Sequence, residues 1–215
     1  MSEQATKLKE QPGGGEVAAV IHDLLTLEAL FTAEEQWCLK RITVLRELAA
    51  ASIHDARAGW PQSIHWSWAR KAATCSPSRL EAFGDVRLFG VEVAGQWQAL
   101  LYGVSEGYST HLGAKNRPLV YVDFIEAAPW NWDIPPLNKV GRYRGAGIQL
   151  MELAVRWSMA LGYDGRIGLH ALAQAKTFYA NRCGMQDLGP DAAYHNLSYF
   201  ELTETSAKTF LRSRP

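Results

Sequence analysis

The run Arg142-Tyr143-Arg144-Gly145-Ala146-Gly147 constrains this chain more than any other feature, because it stands between a strand-like and a helix-like segment. Upstream, Leu119 to Ala127 is rich in β-branched and aromatic residues and is bounded by Pro118 and Pro129, the composition of an interior strand. Downstream, Ile148 to Leu161 reads as an amphipathic helix. If Gly145 and Gly147 open that helix, its first backbone N–H groups have no intrahelical acceptor and point outward, where the positive helix end also favours an anion. Without a Cβ, glycine lets the backbone approach a phosphate closely. The segment is therefore a candidate phosphate cradle.

The 215 residues are enough for one well-buried domain and few for two. The polar, Gly-rich start, Met1 to Glu16, reads as a disordered tail rather than a signal peptide, which leaves 17–215 as one domain. Val17 to Asp23 fits a strand or a helix about equally. Thr32-Ala33-Glu34-Glu35 has the form of a capping box and predicts a helix from there to about Ser52. Ser63 to Thr74 predicts a second helix carrying Trp66 and Trp68. Ala94-Gly95 between two apolar runs predicts a β-hairpin over 87–104. Further on, Gly165 to Leu172 reads as a strand, Ala173 to Arg182 as a short helix, and Ser198 to Leu202 as a closing strand. The whole is mixed α/β.

Lysine plus arginine equals aspartate plus glutamate, at 22 each, so no global field draws the chain to nucleic acid or an anionic membrane. The three cysteines, Cys38, Cys75 and Cys183, are far apart and form no Cys-x-x-Cys pair, and the histidines lack metal-ligand spacing. No metal is expected, and a reducing, cytoplasmic setting fits the composition. A dinucleotide fingerprint would need a third glycine where Leu150 stands. A nucleotide-binding P-loop would need a lysine and a serine or threonine after the glycines, and neither is there.

The order strand, Arg-x-x-Gly-x-Gly, helix resembles the acetyl-CoA motif of the GNAT-type N-acetyltransferase superfamily. A second segment, Ala175-Lys176-Thr177-Phe178-Tyr179-Ala180-Asn181-Arg182-Cys183-Gly184-Met185, is similar to that family's Ala-x-x-Phe-Tyr-x-x-x-Gly-Phe stretch, with Met185 for Phe. Together the two cover about a third of the chain. The resemblance implies a GNAT fold, a twisted mixed sheet whose middle strands splay apart around the pantetheine arm of acetyl-CoA. It implies cofactor contacts from Ala127, Arg142, Tyr143, Arg144, Gly145, Ala146, Gly147 and Ile148. The family often carries an Asn three residues before the Ala of the second segment; here that residue is Leu172.

Acetyl transfer to an amine needs a base, since an alkylammonium with a pKa near about 10.4 is protonated at neutral pH, and it needs help for the departing thiolate. The strand carboxylates Asp123 and Glu126 are the candidate bases; their odd separation puts them on opposite faces of a regular strand. His170, near the end of its strand, is a candidate base or substrate contact. Tyr179, in the Phe-Tyr position, is the acid that the resemblance implies. The family has only a few residues between strand and Arg motif, whereas here Pro129 to Val140 intervenes with Trp130, Trp132 and a Pro-Pro pair. It is either a wall over the acceptor site or a loop folded back on the core or onto a second copy. The resulting expectation is an acetyl-CoA-dependent N-acetyltransferase for an unidentified amine, small or protein-borne, with a homodimer in keeping with the family. The alternative is a GNAT-fold module that binds CoA or a protein partner without catalysis.

Overall fold

The computed structural model describes residues 3–54, 60–74 and 86–213. Helix α1, Leu27–Ala50, buries Leu30, Ala33, Trp37, Arg41, Val44 and Leu48, a stripe at spacings of three and four that follows the helical repeat. It begins five residues before the expected capping box. Thr32 lies one turn inside it, with its hydroxyl bonded to the Glu28 carbonyl at 3.1 Å. The apolar and helix-favouring residues from Leu27 to Phe31, with Glu28 in the first turn, extend the helix backward. Helix α2 is shorter than predicted, Trp68–Thr74.

Nine strands form one mixed sheet: β1 Glu3–Glu10, β2 Glu16–His22, β3 Val86–Val93, β4 Gln96–Tyr108, β5 Pro118–Ala127, β6 Tyr143–Arg144, β7 Ile167–Ala171, β8 Gln186–Asp191 and β9 Leu197–Leu202. Their order is β6-β1-β2-β3-β4-β5-β7-β9-β8. The predicted hairpin turns through Ala94 and Gly95, at φ +48° and +79°. Strand β5 pairs with β7 in parallel through two positions only, Val120↔Ile167 and Tyr121↔Gly168, and both strands continue past that short ladder. Helix α3, Ala146–Ala160, follows β6, and helix α4, Glu204–Arg212, follows β9 with Ala207 and Phe210 buried.

The start of the chain corrects the tail expectation. Glu3–Glu10 is a strand paired antiparallel with Glu16–His22, the segment left open between strand and helix. Polar residues alternate along β1 on an exposed face, while Leu8 is 1% exposed on the other, and one buried leucine among charges is a weak signal in a single sequence. Ala173–Arg182 is one short helical stretch, as expected, opening as a 3₁₀ turn at Ala173–Ala175 and closing as a π-helical turn at Phe178–Arg182.

The chain divides into two compact units, one of residues 1–84, 88–100 and 126–147, the other of 85–87, 101–125 and 148–215. In the first, Val44 and Leu48 of α1 pack with Ile64 and Ile134, and Trp60, Trp132 and Leu137 close around them. In the second, Leu119, Val120, Ile167, Leu169, Phe200 and Leu202 are buried on β5, β7 and β9.

Candidate active site

The cradle belongs to the first unit. Strand β6 pairs with β1 through Lys9↔Arg144 and Glu10↔Tyr143, so the N-terminal strand fixes the approach to the glycines. Asn131, buried, holds β6 from the other direction: its Oδ1 accepts from the Tyr143 N–H at 2.9 Å, while its Nδ2 donates to the Gln98 carbonyl at 3.1 Å. The chain passes so close to Asn131 that a Cβ on Gly141 would overlap its carbonyl oxygen. Gly145 has φ +105°, in the region that disfavours other residues, and the helix starts at the next residue. No acidic residue lies in the first turn of α3, which leaves the positive helix end uncompensated from within.

Both arginine side chains of the motif are engaged by carboxylates. Arg142 reaches Glu10 at 3.2 Å and lies over the Tyr143 ring at 4.8 Å; Arg144 pairs with Asp133. The bond from Arg144 holds the Asp133 carboxyl below its ordinary range, and the Gly141 N–H adds to this at 3.0 Å. An anion at this helix end would therefore meet backbone N–H groups first.

The inserted segment folds back. Trp132 donates its indole N–H to the Ala127 carbonyl at 2.9 Å and packs its ring on the Val44, Leu48, Ile64 and Ile134 core. Trp130 is half-buried and donates to Gln98 Oε1 at 2.7 Å. Lys139 pairs with Glu47 of α1. Of the two expected roles for this loop, closing the core is the one these contacts describe.

Asp123 and Glu126 separate as their odd spacing requires, Asp123 exposed and Glu126 buried. Glu126 Oε2 accepts from Arg41 Nη2 at 2.9 Å and from the Trp68 indole at 2.8 Å. Glu34 accepts from Arg41 at 2.9 Å and from the Trp68 backbone N–H at 2.6 Å, so two carboxylates share one guanidinium. Burial pushes the Glu126 pKa up to about 7, against the opposing pull of Arg41, Ser63 and Trp68. Glu126 Oε1 and Arg41 Nε have no hydrogen-bond partner. This carboxylate joins α1, α2 and β5.

His170 has a different setting, in the second unit. Its Nδ1 lies 2.7 Å from the Tyr121 hydroxyl and its Nε2 3.1 Å from Asp191 Oδ2. A carboxylate only accepts, so neutral His170 carries its proton on Nε2 and takes the Tyr121 O–H at Nδ1. The Asp191 carboxyl lies below its ordinary range, chiefly through the bond from the Ala193 N–H and next through His170. Tyr194 stacks on the imidazole at 3.8 Å and 12°, and Tyr199 approaches at 4.8 Å. Tyr121, His170, Asp191, Tyr194 and Tyr199 line a cavity of about 640 Å³, within the range typical of small-molecule sites. Burial raises the Tyr121 pKa, with Tyr194, Asp123 and Asp191 adding to it, so the phenol stays protonated at neutral pH.

Tyr179 is buried, with Phe178 at 5.2 Å and Phe200 at 5.9 Å, and its carbonyl accepts from the Met185 N–H at 3.0 Å. Burial, then the neighbouring Cys183, raises its pKa. Such a phenol is a better hydrogen-bond donor than acid.

Tyr121, Asp191 and Tyr194 were not among the residues singled out from the sequence. Tyr121 stands two residues before Asp123 on β5, and strand alternation places these two on one face. Asp191 and Tyr194 belong to a turn whose position depends on the β8–β9 pairing. Among the described residues no group of three or more His, Cys, Asp or Glu is placed to hold a metal ion. No described helix is long and apolar enough to cross a membrane.

No family model matches the chain. No curated protein matches it either. Among solved structures it is similar to Mycobacterium smegmatis RimJ in complex with CoA-disulfide, at 13% identity and TM-score 0.47, over 99% of this chain and 94% of that one. It is also similar to an acetyltransferase from Thermus thermophilus, at 15% identity and TM-score 0.47, over 85% and 96%. A third is AtaTR bound with acetyl-CoA, at 15% identity and TM-score 0.45, over 66% and 84%. Each of the three is a likeness at low identity to a protein solved with a CoA derivative or described as an acetyltransferase.

Proposed function

We propose that the chain is an N-acetyltransferase that moves an acetyl group from acetyl-CoA to a primary amine. The observation that carries this reading is the cradle: Gly145 at φ +105° directly before a 15-residue helix with no acidic residue in its first turn. Backbone N–H groups presented in this way suit the pyrophosphate of a nucleotide-derived thioester. The family resemblance of 142–147 and 175–185 supports the choice of acetyl-CoA over other phosphorylated ligands.

Acetyl-CoA supplies the activated acyl group when bound, and the protein must supply the proton traffic. The amine loses a proton to the Tyr121 oxygen as the Tyr121 proton passes to His170 Nδ1, along the observed 2.7 Å contact. Asp191 stabilises the imidazolium that results and fixes the ring. The freed amine nitrogen attacks the acyl carbon, the carbon–sulfur bond breaks with its electron pair on sulfur, and the surplus proton of the attacking nitrogen passes to that sulfur, leaving the amide and the CoA thiol. Tyr179 steadies that sulfur by hydrogen bonding in this scheme. His170 returns its proton to solvent and the cycle closes. Asp123, on the Tyr121 side of β5, adds negative potential beside the relay, whereas Glu126 has a structural role.

The test is release of CoA thiol from acetyl-CoA with a panel of primary amines, with the acetylated amine identified by mass spectrometry. The wild type should turn over, and Tyr121→Phe should lower kcat about 10²-fold or more at unchanged acetyl-CoA affinity. Binding of acetyl-CoA with no transfer to any amine would replace this reading with that of a non-catalytic CoA-binding module.

A further inference from the structure

The cavity in the second unit has a chemistry that narrows the acceptor. Its walls are aromatic: Tyr121, Tyr194 and Tyr199 surround His170, with the Tyr121 and Tyr194 rings 6.4 Å apart at 47°. Its charged lining residues are Glu106 and Asp191, with no lysine or arginine among the described residues that line it. Tyr194, stacked on His170 through one face, is 47% exposed. Tyrosine faces carry negative charge density, and a cation within about 6 Å of a ring centroid is attracted to it, more strongly the further it is desolvated. Burial and, next, the Glu201 charge raise the Tyr199 pKa, and burial raises that of Tyr121 with Tyr194, Asp123 and Asp191 adding to it, so both rings remain neutral phenols at neutral pH.

We infer that this cavity binds a short aliphatic diamine or polyamine, with one ammonium group against the tyrosine faces near Tyr121 and a second paired with Glu106. This inference rests on the transferase reading for the fate of the amine, but the binding itself does not need the cofactor. Anionic ligands would meet two carboxylates, and neutral ones would forgo both the charge pairing and the ring faces. A volume of about 640 Å³ accommodates a small molecule of this kind whole.

The experiment is calorimetric titration of the cofactor-free protein with spermidine, with the same-length neutral diol 1,8-octanediol and the dianion suberate as controls, and with tetramethylammonium as a competitor that cannot be acetylated. Spermidine should bind at least tenfold more tightly than either control, and tetramethylammonium should compete. Glu106→Gln should weaken spermidine about 5- to 10-fold, and Tyr194→Leu about 2- to 5-fold. Both positions are exposed, and circular dichroism melts should confirm that the two variants fold like the wild type. Equal binding of the diol or suberate, affinity unchanged in both variants, or no spermidine binding at millimolar concentration would overturn the inference. Because acetyl-CoA is absent, failure here leaves the cofactor reading standing; spermidine binding without acetyl-CoA binding would instead sink the transferase reading and keep the polyamine site.

Discussion

Each unit holds a bonded chain of polar side chains, and the two are built to opposite ends. In the first, Glu34, Arg41, Glu126 and Trp68 are bonded to one another, and the Arg41 and Glu126 side chains are 6% and 1% exposed. In the second, Tyr121, His170 and Asp191 are linked in the same pairwise way but line a cavity. Glu126 has a strongly perturbed pKa, which alone would mark it as catalytic. Its perturbation comes from burial beside a shared guanidinium, the signature of a structural tie. A shifted pKa becomes a functional argument only where a ligand can reach the group.

The comparison is sharpest in its largest expected effect. His170→Ala should lower turnover by about 10²- to 10⁴-fold in a variant that still folds, because the relay loses its proton acceptor. Glu126→Gln should do the reverse, leaving turnover within a few-fold. A collapse of turnover in a folded Glu126→Gln would exchange the two roles.

Next comes Arg41→Ala, which strands two carboxylates without their cation and should destabilise the fold by about 3 to 5 kcal/mol in urea unfolding. The double variant Arg41→Met with Glu126→Leu should recover part of that loss, since it removes the more deeply buried pair together while Glu34 still loses its cation. If the single variant costs less than about 1 kcal/mol, the tie is not structural.

The pH dependence is smaller. Burial raises the folded-state pKa of Glu126 to about 7 against an unfolded value of 4.5, so the folded protein holds that proton more tightly. Its contribution to stability is fully present below about pH 4.5 and is lost as pH rises to about 7, at most on the order of 3 kcal/mol. Subtracting the stability profile of Glu126→Gln from that of the wild type should expose this slope; a difference flat across the window would contradict it. The smallest effect is at Thr32, which lies inside α1: Thr32→Ala should change stability by less than about 0.5 kcal/mol, where a true N-cap would cost about 1.

These outcomes also mark what a single sequence discloses. The strand over 119–127, the hairpin at Ala94-Gly95 and the helix after Gly145 were legible because each has a local physical cause: β-branched runs, a tight turn between two apolar runs, and an unpaired helix start. Leu8 gave no such warning, since one apolar residue in a charged segment acquires meaning only when β1 meets β2 and β6. Arg41 did carry a signal, a charge at helical spacing between Trp37 and Val44, and a charge on a buried stripe demands a partner. Its partner Glu126 lies 85 residues away, and only tertiary structure brings them together. The same holds for the catalytic candidates. His170 was legible as a strand-end imidazole, but Tyr121 and Asp191, which lie against its two ring nitrogens, come from β5 and the end of β8.

The most direct test of the central claim is calorimetric binding of acetyl-CoA to the wild type and to Gly145→Trp. The account predicts micromolar binding by the wild type and none by the variant, whose added side chain occupies the helix entrance at a φ that favours glycine. Folding of the variant should be verified by its far-ultraviolet spectrum and by an unchanged Tyr121–His170 environment in NMR. Undetectable binding by the wild type, or equal binding by a folded Gly145→Trp, would contradict the assignment of the 142–147 segment as the cofactor cradle.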